Sequence, residues 1–136
     1  MKSIQPSTSK IPEEITTGDV YTTILIAGDE APQVRAARMH FAPGSRTAWH
    51  SHAGGEYLHI IEGTALMQER GGNIAVLPAG DTVFTESGVE HWHGASSDSF
   101  MVHLAVWGAP VDSGGGTETT WGSQVTDEEA EVSDKE

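Results

Sequence analysis

Turn-forming residues interrupt this sequence at short, nearly regular intervals, and that spacing restricts the possible folds more than any other feature. The 136 residues include 16 glycines and six prolines. Between the turns lie short runs that are apolar or alternate between apolar and polar residues, a pattern typical of strands. Nine such runs are predicted as strands: 20–27, 34–42, 47–52, 56–63, 64–70, 73–80, 81–86, 91–96 and 100–108. Many short strands without long helices favour an antiparallel sandwich or barrel, so we predict an all-β fold.

The length of the chain supports one domain with a single core. We divide the chain into an N-terminal arm (1–17), a barrel (18–111) and an acidic C-terminal connector with a short helix (112–136). The helix is predicted because Thr126 is followed three positions later by Glu129, which is a capping-box arrangement. Trp121 stands in a polar stretch, so we expect it to pin the tail to the barrel or to contact a second subunit.

Charge and composition exclude several classes of function. The formal net charge is -13, which disfavours binding to nucleic acid. The chain has no cysteine, so it can form neither a disulfide nor a thiolate metal site. It also lacks an apolar run near the roughly 18 residues that a membrane span needs. The first 14 residues contain no apolar stretch typical of a signal peptide, and we expect a cytoplasmic protein with a small-molecule substrate.

The stretch WHSHAGGEYLH (49–59) concentrates three of the seven histidines in eleven positions. On a strand, residues two positions apart lie about 6.6 Å apart on one face, so His50 and His52 would point the same way. On a helix the same spacing would turn them about 200° apart. The AGG turn can then bring Glu56 back beside the pair, and a fourth ligand can come from HWHGA (91–95).

Imidazoles combined with one carboxylate are typical ligands of Mn(II), Fe(II), Ni(II) or Zn(II). Four protein ligands around an octahedral ion leave two positions open, as a catalytic site requires. The sequence therefore predicts one divalent transition metal per subunit.

Two segments resemble the two conserved motifs of the cupin family. GSRTAWHSHAGGEYLHIIEG matches the first motif at five positions: Gly44, His50, His52, Glu56 and Gly63. GDTVFTESGVEHWHGA matches the second at Gly80, Gly88 and His91, with Glu86 in place of the usual proline and Ala95 in place of the usual asparagine. The resemblance implies a cupin barrel, that is, a double-stranded β-helix or jelly roll, usually as a homodimer or a higher homo-oligomer. It also implies that the metal ligands are His50, His52, Glu56 and His91.

Within the cupins, the runs RTAWHSH, GVEHWHGA and MVHLAV are similar to the small manganese-containing hydroxynitrile lyases of bacteria. That resemblance implies manganese as the first choice of metal, followed by iron, nickel or zinc. It implies that His103 acts as general base and that Thr47 orients the substrate. The proposed pocket, whose apolar members could equally be plain barrel core, comprises Ala37, Met39, Phe41, Trp107 and His93.

One residue, Glu56, favours a different function for the same site. Those lyases have glutamine where this chain has Glu56. A carboxylate gives a full negative charge to the ion, lowers its Lewis acidity and makes a higher oxidation state easier to reach. The alternatives to a lyase are therefore a cupin dioxygenase with three histidines and one glutamate, and a cupin that binds a metal or small ligand without catalysis.

Overall fold

The predicted strands pair into two antiparallel sheets that share a common core. The computed structural model describes residues 1–29, 33–108 and 118–132. Within those ranges the strands are β1 (Ser7–Lys10), β2 (Thr16–Thr17), β3 (Val20–Ala27), β4 (Val34–Phe41), β5 (Arg46–Thr47), β6 (His50–His52), β7 (Glu56–Glu62), β8 (Thr64–Glu69), β9 (Ala75–Pro78), β10 (Thr82–Thr85), β11 (His91–Ala95), β12 (Met101–Gly108) and β13 (Thr119–Trp121). A single 3₁₀ turn, Glu13–Ile15, is the one helical element in the described part of the chain.

The order of strands in the sheets is that of a jelly roll. The first sheet runs β1-β3-β4-β12-β7-β10. The second runs β13-β6-β11-β5-β2, with β8 also paired to β11 and β9 paired to β8. Strands distant in sequence become neighbours, as when β12 lies between β4 and β7. The structure confirms the predicted all-β barrel.

Alternation along the strands separates an inner from an outer set of side chains. Between the sheets lies an apolar cluster: Val20, Phe41, Ile60, Ala65, Ala95 and Met101. On β12, His103 and Ala105 are buried while Leu104 and Val106 are only partly covered, so this part of the strand keeps one face inward. Because Trp49 and Trp92 alternate with the inward histidines of β6 and β11, they form a separate cluster with Val125 from the C-terminal segment.

The predicted C-terminal helix is wrong. The capping box does form, since the Glu129 amide donates to Thr126 Oγ1 and the Thr126 amide donates to Glu129 Oε1, each at 3.0 Å. Through Val132, the last described residue, only two further backbone bonds of helical type follow: the Ala130 amide donates to the Thr126 carbonyl at 3.0 Å, and the Glu131 amide donates to the Glu128 carbonyl at 3.3 Å. So few bonds do not offset the cost of fixing a helical nucleus, and the segment remains a turn.

The two ends of the chain are more closely tied to the sheets than the divisions drawn from the sequence suggest. In the N-terminal arm, β1 pairs with β3 and β2 pairs with β5. In the predicted connector, residues 112–117 lie outside the described residues, whereas residues 119–121 form β13 on the edge of the second sheet. Among the residues described, none belongs to a helix of the length and hydropathy that a bilayer crossing needs.

The fold makes a prediction about Gly63, which joins β7 to β8 with φ +75°. A Cβ there would lie 1.9 Å from the Phe100 carbonyl oxygen, so an added methyl group requires the backbone to move. We expect Gly63→Ala to lower the free energy of unfolding by roughly 3 kcal/mol or more, and the melting temperature by roughly 10 °C. Calorimetry measures both quantities.

The matched control is Gly71→Ala. Gly71 has a similar φ of +87°, but a Cβ there meets no described atom within 4 Å. That variant therefore carries only the left-handed backbone cost, about 1–2 kcal/mol. Equal losses in the two variants would contradict the close approach of Gly63 to Phe100.

Candidate metal centre

Two neighbouring strands of the second sheet bring the histidines together. His50 on β6 lies directly opposite His91 on β11 in the antiparallel register. Because side chains alternate on a strand, His52 and His93 lie on the same face as their partners two positions away. All four rings are buried, and the ring centroids of His50 and His91 are 4.4 Å apart.

Glu56 brings a carboxylate into the middle of these rings. It is the first residue of β7 and follows Gly55, whose φ of +79° allows the tight turn. Its Oε2 lies 3.0 Å from Nε2 of His52, and its Oε1 lies 3.4 Å from Nε2 of His91. The same Oε1 lies 3.8 Å from Nε2 of His93. A charged group only 4% exposed is thus surrounded by imidazole nitrogens.

The closest set of ligand atoms differs in one member from the set predicted from the sequence. His50, Glu56, His91 and His93 each offer an atom that lies within 4.8 Å of the others, a grouping that could hold a metal ion. His93 was predicted only as a pocket residue. His52, predicted as a ligand, lies outside this group but contacts the other oxygen of Glu56. The structure therefore assembles five groups where the motif implied four.

Hydrogen bonds on the far side of the rings fix which nitrogen faces the centre. Nδ1 of His50 lies 2.9 Å from the Ala48 carbonyl, and Nδ1 of His91 lies 3.0 Å from the Val89 carbonyl. A carbonyl only accepts, so each Nδ1 carries the proton and donates it. Nε2 of each ring therefore faces the interior, as at metal-binding histidines. Nε2 of His50 presents a lone pair there, and Nε2 of His91 lies within hydrogen-bond distance of Oε1 of Glu56.

Two buried nitrogens at the centre lack a hydrogen-bond partner among the described residues, namely Nε2 of His52 and Nε2 of His93. Both lie close to Glu56 oxygens without the alignment of a hydrogen bond. Unsatisfied buried polar atoms are costly, and a cation shared by nitrogen and carboxylate donors would satisfy them. The donor set therefore fits a divalent transition metal.

The charge states of these groups agree with cation binding. Burial lowers the pKa of His50 to about 3, so its ring is neutral at physiological pH. Burial opposes ionisation of Glu56, but the contacts with His52 and His91 outweigh it and hold the pKa of Glu56 well below its usual value. Neutral imidazoles and an ionised carboxylate are the forms that bind metal.

His103, on β12 of the first sheet, is fully buried and contacts the histidine cluster through His93. Its Nε2 is 3.0 Å from Nδ1 of His93, and its Nδ1 has no partner among the described residues. Burial lowers the pKa of His103 to about 4, so the ring is neutral. The Oγ1 of Thr47 accepts a hydrogen bond from the His93 amide at 3.2 Å. Both predicted catalytic residues thus lie beside the histidine cluster.

The apolar residues predicted to line a pocket lie partly in the apolar core and partly beside the histidines. Phe41 belongs to the apolar cluster between the sheets, with Met39 packed against it, and its ring centroid lies 5.2 Å from that of His103. Ala37 is buried opposite Ala105. Trp107 is partly buried, and its ring centroid lies 6.0 Å from that of His52. Phe41 and Met39 therefore serve as core at the same time as they approach the histidines.

Three residues at this site were not predicted from the sequence, and all of them lie on or beside β13. Thr119 Oγ1 lies 3.1 Å from Nδ1 of His52, and the ring centroid of Trp121 lies 4.7 Å from that of His50. Glu118 accepts a hydrogen bond from Nε1 of Trp107 at 2.7 Å. Trp121 was expected to pin the tail to the barrel or to contact a second subunit, and Glu118 and Thr119 carry no local signal in a stretch that resembles a connector.

A comparison with known protein families agrees with the resemblance to the two cupin motifs. The Cupin_2 family model, described as a cupin domain, matches residues 37–107. The chain belongs to the cupin family. This range contains both pairs of histidines, Glu56 and His103.

Individual proteins resemble this chain over most of its length. The chain is 35% identical over 127 residues to the (R)-mandelonitrile lyase of Granulicella tundricola, and the match covers 90% of this chain and 91% of that enzyme. A cupin-like protein of Thermotoga maritima superposes with a TM-score of 0.81 at 31% identity, covering 96% of this chain and 95% of the other. A predicted oxalate decarboxylase of Thermotoga maritima superposes with a TM-score of 0.68 at 26% identity, covering 78% and 95%.

The centre predicts a metal-dependent gain in stability. A divalent ion that binds the folded chain at 100 times its dissociation constant adds about 2.7 kcal/mol. We therefore expect manganese, added to metal-free protein, to raise the melting temperature by roughly 5–10 °C. His91→Ala should abolish the rise, whereas His59→Ala, which changes an exposed histidine of the first sheet, should retain it. A rise of equal size in both variants would contradict binding at the cluster.

Proposed function

We propose that this cupin is a metal-dependent lyase that cleaves hydroxynitriles. The observation that carries the proposal is the buried set of imidazoles around Glu56. The 35% identity to a mandelonitrile lyase over 90% of the chain supports this reaction class. In the reaction, the substrate hydroxyl loses its proton, a carbonyl forms, and cyanide leaves with the electron pair of the broken carbon–carbon bond.

The metal ligands in this proposal are His50, His52, Glu56 and His91. Manganese is the first expectation, followed by iron, nickel and zinc. A bound divalent ion supplies Lewis acidity that polarises an oxygen of the substrate. His93 lies close enough to be the ligand in place of His52. The metal affinities of His52→Ala and His93→Ala show which of the two rings binds the ion.

His103 is proposed as the general base and acid. Since its ring is neutral, it can accept the hydroxyl proton at Nδ1, the nitrogen without a hydrogen-bond partner among the described residues. It can then return the proton to the departing cyanide. The contact of its Nε2 with His93 holds the ring in place throughout.

Thr47 is proposed to orient the substrate. Its Oγ1 accepts from the His93 amide, so its own proton remains available to a ligand. The nearby Nδ1 of His50 cannot take that proton, because it already donates to the Ala48 carbonyl. A substrate oxygen is a suitable acceptor. Ala37, Met39, Phe41, His93 and Trp107 are the proposed walls of the pocket.

Glu56 supports a second candidate, a dioxygenase. Its low pKa keeps a full negative charge at the centre, which stabilises a more oxidised ion and lowers its Lewis acidity. Both effects favour oxygen chemistry over polarisation of a hydroxyl. The two candidates share their ligands and differ in whether turnover consumes oxygen.

Two further expectations from the sequence stay predictions: a cytoplasmic location and a homodimer. An apolar row across the outer face of the first sheet supports the dimer. Strand register aligns Ile26, Ala36, Val106, Tyr57 and Phe84 in that row. Three of these side chains are 41–54% exposed although large and apolar: Ile26, Tyr57 and Phe84. Sedimentation equilibrium tests the dimer, and a mass of 14.4 kDa at micromolar concentration would exclude it.

The lyase proposal predicts release of cyanide from mandelonitrile by manganese-loaded protein. His103→Gln should retain the metal and reduce turnover by roughly 10²–10⁴-fold, since a general base is lost. The matched control is His59→Gln, whose ring hydrogen-bonds Thr82 on the exposed face and should not affect turnover.

Three outcomes would count against the lyase or against the role of His103. Absence of cyanide release from protein whose metal content has been confirmed would discard the lyase. Oxygen consumption with catechol-like or 1,3-diketone substrates, measured by an electrode, would instead establish the dioxygenase. Unchanged turnover in His103→Gln would leave His103 as a packing residue.

A further inference from the structure

Strand β13 aligns two of its three side chains with the proposed ligands. It runs antiparallel to β6, and its register places Thr119 opposite His52 and Trp121 opposite His50. Directly opposed residues of an antiparallel pair lie on the same face of the sheet. Thr119 and Trp121 therefore face the metal centre, although they lie more than sixty residues after the histidines in the chain.

The three histidines in the proposed ligand set differ in how their outer nitrogens are held. Nδ1 of His50 and of His91 meets a backbone carbonyl, which accepts and never donates. Nδ1 of His52 meets a hydroxyl instead, Oγ1 of Thr119, at 3.1 Å. The outer nitrogen of His52 is thus held by one side chain of β13, whereas those of the other two rings are held by the local backbone.

We propose that Thr119 is a positioning residue: with an ion bound, it holds His52 with the proton on Nδ1 and the lone pair of Nε2 directed at the centre. The hydroxyl accepts the hydrogen bond from Nδ1–H, and the ring is thereby held in the rotamer whose Nε2 lies 3.0 Å from Oε2 of Glu56. This inference rests on the proposed metal site. It assigns to β13 part of the metal affinity that the motif residues alone would otherwise carry.

Several contacts outside the hydrogen bond keep Thr119 in position. The Ala53 amide donates to the Glu118 carbonyl at 2.9 Å, and the Gly122 amide donates to the Trp49 carbonyl at 2.7 Å. The Glu118 side chain, besides accepting from Trp107, forms an ion pair with Arg35 of β4 in the first sheet. The strand is therefore held to the segment around β6 on either side of Thr119, and to the first sheet through Glu118.

The decisive comparison uses Thr119→Val and Thr119→Ser. Valine keeps the branched shape and removes the hydroxyl, whereas serine keeps the hydroxyl. We expect Thr119→Val to weaken Mn²⁺ binding by roughly 10–100-fold in competition with a chelator, and Thr119→Ser to bind within about threefold of the unaltered protein. Melting temperatures without metal show whether each variant is folded. Equal affinity of Thr119→Val and the unaltered protein would overturn the inference.

A second measurement does not depend on a variant that folds. Long-range proton–nitrogen correlation spectra of Zn²⁺-loaded protein, labelled with ¹⁵N at histidine, report which ring nitrogen carries the proton. We expect His52 to carry its proton on Nδ1 in the loaded protein, and a proton on Nε2 would overturn the inference. An unaltered protein that binds neither Mn²⁺ nor Zn²⁺ would overturn the proposed metal site, whereas full affinity in Thr119→Val would overturn only the role of Thr119.

Discussion

The burial of the Glu56 carboxylate is the interaction on which the site depends. Removing a charge from water is costly unless the surroundings replace the lost solvation. Here imidazole nitrogens surround the carboxylate, and the nearest of them lies 3.0 Å away. Two of these nitrogens have no hydrogen-bond partner among the described residues, so the protein groups alone do not complete the arrangement. A shared cation would stabilise the carboxylate and the lone pairs together.

The barrel can bury these polar groups because successive side chains on a strand point to opposite faces of the sheet. Polar ligands and apolar core residues can therefore alternate along one strand. One face of β6 and β11 carries the histidines inward, while Trp49 and Trp92 on the opposite face form the cluster with Val125. The two kinds of surroundings are separated by the thickness of a single sheet. The C-terminal segment covers the tryptophans on the outside, where Arg46 donates to the Val125 carbonyl at 2.8 Å. It also supplies β13 to the edge of the same sheet.

Local patterns predicted much of this arrangement. The strand Val20–Ala27 has the bounds that its apolar run implied, and the period of two placed His50 and His52 on one face. The turn after His52 was expected to return Glu56 to the pair, and it does. These features depend on residues a few positions apart, so the sequence contains the information directly.

Contacts between distant segments were not predictable in this way. The pairing of Thr119 with His52 joins residues 67 positions apart, and nothing in a stretch rich in glycine and threonine indicates a strand. The period of two puts His93 on the same face as His91, but its place in the closest group of ligand atoms depends on the reach of the Glu56 side chain from β7, which spacing does not show. The helix expected after Thr126 failed for a related reason, since a capping signal cannot by itself stabilise a single turn.

The most direct test of the central claim is a crystal structure of manganese-loaded protein, with diffraction recorded on both sides of the manganese absorption edge. We expect one anomalous peak per chain, within coordination distance of Glu56 and of Nε2 of His50 and His91. A metal-soaked crystal with no peak among these residues, or with the histidine rings turned away from Glu56, would contradict it.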